Sequence, residues 1–320
     1  MARESEERRK ILTARGVSPI HLAVGAARVV LLPALGGSIG GFTLADCPIL
    51  RPTPDEALAS SNVRLASSYP LVPYSNRIRD ARLSFDGRTF MLARNFGESP
   101  HSIHGVGWQR AWTVDAATST RATLSLVHDA KGDEAAAWPW PFRALQAFDL
   151  ASDRDTRGVL TATLTIENSG DAPFPFGLGW HPFFPRDPAT TLQSSARNIW
   201  INDANEMPVR RIAAEGPWSF RSPQGFGNAT IDNLFVGWDG RATLRSAQQR
   251  VVTTIEADSA CPFLVVYAPE GRDFVAVEPV SHETDAFNRV ASGAQGTGMR
   301  VLAPGAAYSC TMRIVASLAS

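Results

Sequence analysis

A histidine and a carboxylate held in one cleft suffice for general acid–base chemistry, and two segments of this chain offer them in unusual settings. Residues 174–184 read F-P-F-G-L-G-W-H-P-F-F. In an extended strand, side chains alternate between faces. Phe176, Leu178 and Trp180 then share one face, and Gly177, Gly179 and His181 share the other. Glycine inside a strand marks close approach by a ligand or another backbone. His181 therefore has room beside it for a substrate; the bland alternative is a satisfied structural histidine at a strand end. Residues 273–281 read D-F-V-A-V-E-P-V-S. Phe274, Ala276 and Glu278 fall on one face of a very apolar strand, which Pro279, lacking a donor, should end. A carboxylate there sits either at a wet sheet rim or in a cleft, because ionised carboxylates are rarely buried unpaired.

Other chemistry-bearing residues cluster in turn-like stretches. His101 and His104 lie three apart within residues 95–108, but no third ligand stands nearby, and a metal site needs three or four. No metal is expected. Arg77, in P-Y-S-N-R-I, is either a surface ion-pair residue or a fixed fork donating to substrate oxygens, with Asn76 beside it. The apolar, proline-stiffened Trp138-Pro139-Trp140-Pro141-Phe142 is either a stacking wall for a sugar ring or aromatic core. The glycine-rich run 36–41 reads as a strand turn or bulge, since no helix follows to hold phosphate. Walker, nucleophile-elbow and dinucleotide fingerprints are absent.

The elements that must position these residues are short strands. Runs at 28–32, 121–128, 159–167, 251–256, 263–267 and 274–278 are β-rich and broken by Gly, Pro, Asn and Asp. The clearest alternation sets Leu160, Ala162, Leu164 and Ile166 against Thr161, Thr163, Thr165 and Glu167, the signature of a half-solvated strand. Turn signals recur every ~8–12 residues, which indicates a sandwich or barrel rather than βαβ units. The expectation is an all-β chain: a charged tail or short helix over residues 1–16, then one large antiparallel β-sandwich domain over 17–320.

Composition agrees. The 320 residues are 44% hydrophobic, enough for a sizeable core, and Lys+Arg and Asp+Glu are both 31. No basic stripe marks a nucleic-acid partner and no long apolar run marks a membrane span. The N-terminus lacks the apolar region of a signal peptide. Cys47, Cys261 and Cys310 are odd in number and far apart, which reads as reduced thiols in a cytoplasmic protein. A monomer or homodimer is expected.

Taken together, the segments resemble the aldose 1-epimerase (galactose mutarotase) family. The resemblance runs in order over roughly residues 25–316: N-R-I at 76–78, I-H-G at 103–105, G-W-H-P-F-F at 179–184, I-D-N-L-F at 231–235, and V-E-P-V-S with Asp285 to Asn288 following. It implies a large β-sandwich of the galactose mutarotase type (a supersandwich), no cofactor and a monosaccharide substrate. It implies His181 as general acid and Glu278 as general base, with Arg77, His104, Asp232 and Asn76 as substrate-binding partners of the sugar hydroxyls. The chain departs from the galactose enzymes at Pro185-Arg186, at Ala137-Trp138-Pro139-Trp140 and at Val265, where sugar hydroxyls would be read. It resembles a divergent bacterial-type branch whose sugar is not named by the motifs.

The chemistry that the resemblance implies is economical. Interconverting α and β anomers requires taking the proton from the C1 hydroxyl and giving one to the ring oxygen. The ring opens, C1 rotates about C1–C2, and the ring recloses. One base and one acid do this without metal or covalent intermediate. The alternatives are a non-catalytic sugar-binding β-sandwich, a hexose-phosphate epimerase with an added cationic cluster, and a glycoside hydrolase with carboxylates ~5–10 Å apart.

Overall fold

The structure, a computed structural model, describes residues 18–227, 230–246, 248 and 250–318. The tail or short helix expected over 1–16 lies outside the described residues. Every strand expected from the sequence is present, with ends shifted by a residue or two. The alternation at 159–167 becomes the strand Arg157–Asn168, with Leu160, Ala162, Leu164 and Ile166 buried and the threonines between them half-buried. The glycines at 36 and 37 form the turn that opens the strand Ser38–Leu44; both have positive φ, and a Cβ on Gly36 would fall 2.0 Å from the Trp108 carbonyl oxygen.

Two large antiparallel sheets dominate. A nine-stranded sheet runs from Thr113–Ala117 through Arg121–His128, Phe142–Arg154, Arg157–Asn168, Ala307–Leu318, Val251–Ala257, Arg241–Ser246 and Thr191–Ser194 to Gln224–Gly225. An eight-stranded sheet runs from Pro208–Ala213 through Asn198–Asn202, Ile231–Val236, Phe263–Ala268, Phe274–Val280 and Gly179–Trp180 to Pro70–Leu71, and Phe183–Pro185 also pairs with Phe274–Val280. The fold is the β-sandwich of the galactose mutarotase type. The two sheets share one core: Leu160, Leu164 and Ile314 from the first belong to the same cluster as Leu264, Val266, Val275 and Val277 from the second.

The other face of the eight-stranded sheet carries the chemistry. Period-two alternation turns Phe274, Ala276, Glu278 and Val280 to that face, together with Phe263, Val265 and Tyr267 and with Asp232, Leu234 and Val236. A second apolar cluster covers part of it, contributed by Leu58, Val63, Tyr69 and Trp108 from the loops before and after the N-R-I segment. No described helix is long and apolar enough to cross a membrane.

Candidate active site

Strand register sets the floor of the site. Glu278 lies opposite Val265, which lies opposite Leu234. One row along, Phe183, Ala276, Tyr267 and Asp232 are successive cross-strand partners. Two carboxylates and a tyrosine therefore project from adjacent rows of one apolar sheet face. Pro279 does not end its strand as expected: the ladder continues to Val280, with Pro279 opposite Leu264. Glu278 is accordingly a floor residue, 3% exposed, and not a rim residue.

His181 reaches this floor through register: Gly179 lies opposite Val280 and Phe183 opposite Ala276, which sets His181 opposite Glu278. Residues 174–184 form three short strands, Phe174–Phe176, Gly179–Trp180 and Phe183–Pro185, and the last two pair along the same strand, Phe274–Val280. Backbone bonds hold the segment between them in place: the His181 amide donates to the Tyr69 carbonyl at 3.1 Å, and the Val277 amide donates to the Pro182 carbonyl at 3.3 Å. The imidazole lies between Tyr69 and Phe183, with ring centroids 4.7 Å and 4.4 Å away. Its Nε2 stands 3.2 Å from Oε1 of Glu278. The expected pair is thus in direct contact.

The glycines beside His181 serve another purpose than the one read from sequence. A Cβ on Gly177 would lie 1.7 Å from Cδ2 of His282, and one on Gly179 would lie 2.8 Å from Val280. The bare space is filled by protein. His282 is a tie between three segments of the site. It packs on Gly177, its Nε2 accepts from the Ser75 amide at 3.0 Å, and its Nδ1 bonds the Glu283 carbonyl at 2.7 Å.

A third group comes from two loops tied back to back. The Asn76 amide donates to Nδ1 of His104 at 3.0 Å, and the His104 amide donates to the Asn76 carbonyl at 2.9 Å. Both residues have positive φ, a conformation asparagine tolerates better than most and one that collects at functional sites. Oδ1 of Asn76 accepts from the Arg77 amide and from its guanidinium, at 2.9 and 3.2 Å. Asn76 thus orients Arg77, whose Nη2 bonds Glu206 and lies 3.4 Å from Oδ2 of Asp232. Asp285 and Asn288, in the turn after the Glu278 strand, secure the same segment: the Asp285 amide donates to the Arg77 carbonyl, and the Arg79 amide donates to Oδ1 of Asp285. All six expected residues, His181, Glu278, Arg77, His104, Asp232 and Asn76, therefore fall in one contiguous site.

The match to known proteins follows this geometry. The profile of the Aldose 1-epimerase family matches residues 19–315, nearly the whole chain. The chain belongs to the aldose 1-epimerase family. YphB, an uncharacterized protein of Escherichia coli K12, is 29% identical over 288 residues, which is 87% of this chain and 92% of YphB. A solved structure of an Escherichia coli K12 protein superposes with a TM-score of 0.83 at 27% identity, covering 94% of this chain and 99% of the other. The galactose 1-epimerase of Lactobacillus acidophilus NCFM shares the fold, with a TM-score of 0.72, 17% identity and 93% coverage of each chain.

In this family member, burial governs protonation. It drives the Glu278 carboxyl well above the ordinary carboxylate range, with Asp232 adding to the rise and Arg77 opposing it. It holds His181 down at about 3, helped by the positive charge of Arg51. His104 is also pushed well below its ordinary value by burial. Asp232 is raised by burial and restrained by Arg77. Desolvation penalises whichever form is charged, so the empty pair shares one proton in its neutral form. Either placement of that proton leaves the pair with zero net charge.

Several site residues gave no sequence signal. Tyr69 and Tyr267 carry no motif and reach the site through loop packing and strand register. Arg51 lies over Phe183 at 3.9 Å and over Phe274 at 4.6 Å, while its Nη2 donates to the carbonyls of Arg64 and Ala66. Phe183 thus contacts both His181 and Arg51. The Trp138 segment proves to be core: Trp138 is fully buried among Tyr74, Trp140, Phe174 and Phe287. The nitrogens of His101 face the Asp80 amide and the Asn205 carbonyl, so this side chain does not join His104 in any shared site.

Proposed function

We propose that this protein interconverts the α and β anomers of a free aldose by general acid–base catalysis, with Glu278 as the base on the C1 hydroxyl and His181 as the acid on the ring oxygen. The observation that carries the reading is the 3.2 Å contact between His181 Nε2 and Glu278 Oε1 on the floor of a cleft. The C1 hydroxyl and the ring oxygen are both bonded to C1, so two proton carriers side by side match the two oxygens that must exchange protons. The ion-pair form that ring opening uses and the neutral form that burial favours differ by the transfer of one proton between these two side chains. Ring opening moves the hydroxyl proton to Glu278 and the His181 proton to the ring oxygen; reclosure reverses both from either face of the aldehyde. Each group should supply ~10²–10⁴-fold.

Arg77, His104 and Asp232 are proposed as the sugar-hydroxyl partners. Arg77 is placed by Asn76 and engages Asp232, which supports a recognition role for that aspartate over the second catalytic carboxylate a hydrolase would need. The test is exchange NMR or polarimetry on a panel of freshly dissolved hexoses and pentoses. At least one sugar should reach anomeric equilibrium far faster with enzyme than in buffer. Binding without acceleration across the panel would leave a sugar-binding protein instead.

A further inference from the structure

We propose that a cavity beside the catalytic cleft is a subsite for a second sugar unit, so that the preferred substrate is the reducing end of a disaccharide or longer saccharide. This rests on the anomer-exchange reading above and extends it to substrate class.

The cavity encloses about 390 Å³, within the ~300–1,000 Å³ typical of small-molecule sites. Trp108, itself 1% exposed, is the packing link between the cavity and the catalytic residues. That indole lies 6.0 Å from the His104 ring and 5.5 Å from the Tyr69 ring, centroid to centroid, and also lines the cavity. Phe96, 6.2 Å from Trp108, continues the aromatic wall. The loop that carries Arg64 is held against the catalytic column, because Arg51, stacked on the Phe183 that stacks on His181, donates to the Arg64 carbonyl.

The polar groups around the cavity have capacity left. The Arg64 guanidinium rests on Phe96 at 4.2 Å and makes no ion pair among the described residues. Asn62 uses its Oδ1 on the Arg64 amide, leaving the amide nitrogen; Gln109 uses Nε2 on the Asn95 carbonyl, leaving the amide oxygen. Donors and acceptors are mixed, and an aromatic wall lies between them. Sugar hydroxyls both donate and accept, which suits this mixture. A phosphate accepts only, and would meet one arginine with an amide oxygen facing it.

The experiment pairs each monosaccharide with disaccharides that carry it at the reducing end: glucose with maltose and cellobiose, xylose with xylobiose, galactose with galactobiose. Anomer-exchange kinetics are measured on wild type, Arg64→Ala and Ala34→Trp, the last filling the cavity from a half-buried lining position. For at least one pair the disaccharide KM should be roughly tenfold or more below that of its monosaccharide. Both variants should remove that advantage and leave monosaccharide kcat and KM unchanged. No disaccharide advantage in any pair, or an advantage that survives Ala34→Trp, would overturn the subsite. So would glucose 6-phosphate outcompeting every disaccharide with an advantage lost in Arg64→Ala, which would make the cavity an anion site. No acceleration for any sugar, single or paired, would refute the anomer-exchange reading and take the subsite with it.

Discussion

Gly177→Ala would set a methyl carbon 1.7 Å from Cδ2 and 2.5 Å from Nε2 of His282. The ring cannot retreat without loss, because it is held by the Ser75 amide on one nitrogen and the Glu283 carbonyl on the other. Overpacking a close-packed core costs ~1–3 kcal/mol, and each hydrogen bond lost costs ~0.5–1.5 kcal/mol. The substitution should therefore destabilise the fold by about 2–6 kcal/mol. Displacement of His282 also frees Ser75, next to Asn76 and Arg77, so the surviving folded protein should show a raised KM. Denaturant unfolding of Gly177→Ala, His282→Ala and the double variant gives the coupling directly. With the ring gone the added methyl has nothing to strike, so the double variant should be about as stable as His282→Ala alone. Wild-type stability in Gly177→Ala, or additive losses in the double variant, would refute the tie. A KM effect with no loss of stability would restore the sequence reading, in which this glycine makes room for the sugar.

Arg77→Ala should raise KM roughly tenfold or more, since a charged hydrogen bond is worth ~1.5–3 kcal/mol; unchanged kinetics with a lowered melting temperature would mark Arg77 as an ion-pair residue only. Arg51→Met removes a cation that suppresses protonation of His181, so the limb of the pH–rate profile set by His181 should move to higher pH, and an unmoved limb would show that the arginine does not act on this histidine. The buried histidines should also make stability depend on pH: His181 and His282 are held at about 3 and about 4 against an ordinary 6.5. A depressed histidine contributes fully above about pH 6.5, and its contribution is lost as pH falls toward about 4 because the unfolded chain binds those protons first. The raised Glu278 carboxyl gives the opposite slope above about pH 4.5, so the histidine contribution is read against His282→Ala, whose melting temperature should fall less than the wild type's between about pH 6.5 and 4; an equal fall would contradict the burial of this ring.

The strands were legible because their chemistry is local. Alternation of Leu160 to Ile166 with threonines needs only a half-solvated sheet, and the structure buries those same four positions. Residue types at the site were legible for a related reason: His181, Glu278 and Arg77 are costly to place without a role. Their surroundings were not legible, because sequence carries no distance between segments a hundred residues apart. Gly177 looked like space for a ligand until His282 was found in it. Pro279 looked like a strand end, though its backbone carbonyl side still fits a ladder beside Leu264. Tyr267 faces Asp232 through register alone, and Arg51 meets His181 only through their shared neighbour Phe183. The Trp138 segment illustrates the same limit: aromatic, proline-stiffened sequence suits a stacking wall and a core equally, and only tertiary packing decides.

The most direct test of the central claim is anomer-exchange NMR on Glu278→Gln, His181→Asn and the double variant, with sugar binding measured alongside. Both substitutions keep size and polarity and remove proton-transfer capacity. Each single variant should lose ~10²–10⁴ in turnover with binding largely retained. The double variant should lose far less than the product of the two, because groups acting on one step are not additive. Near-normal turnover in either single variant would contradict the account, and multiplicative losses would separate the two residues into different steps.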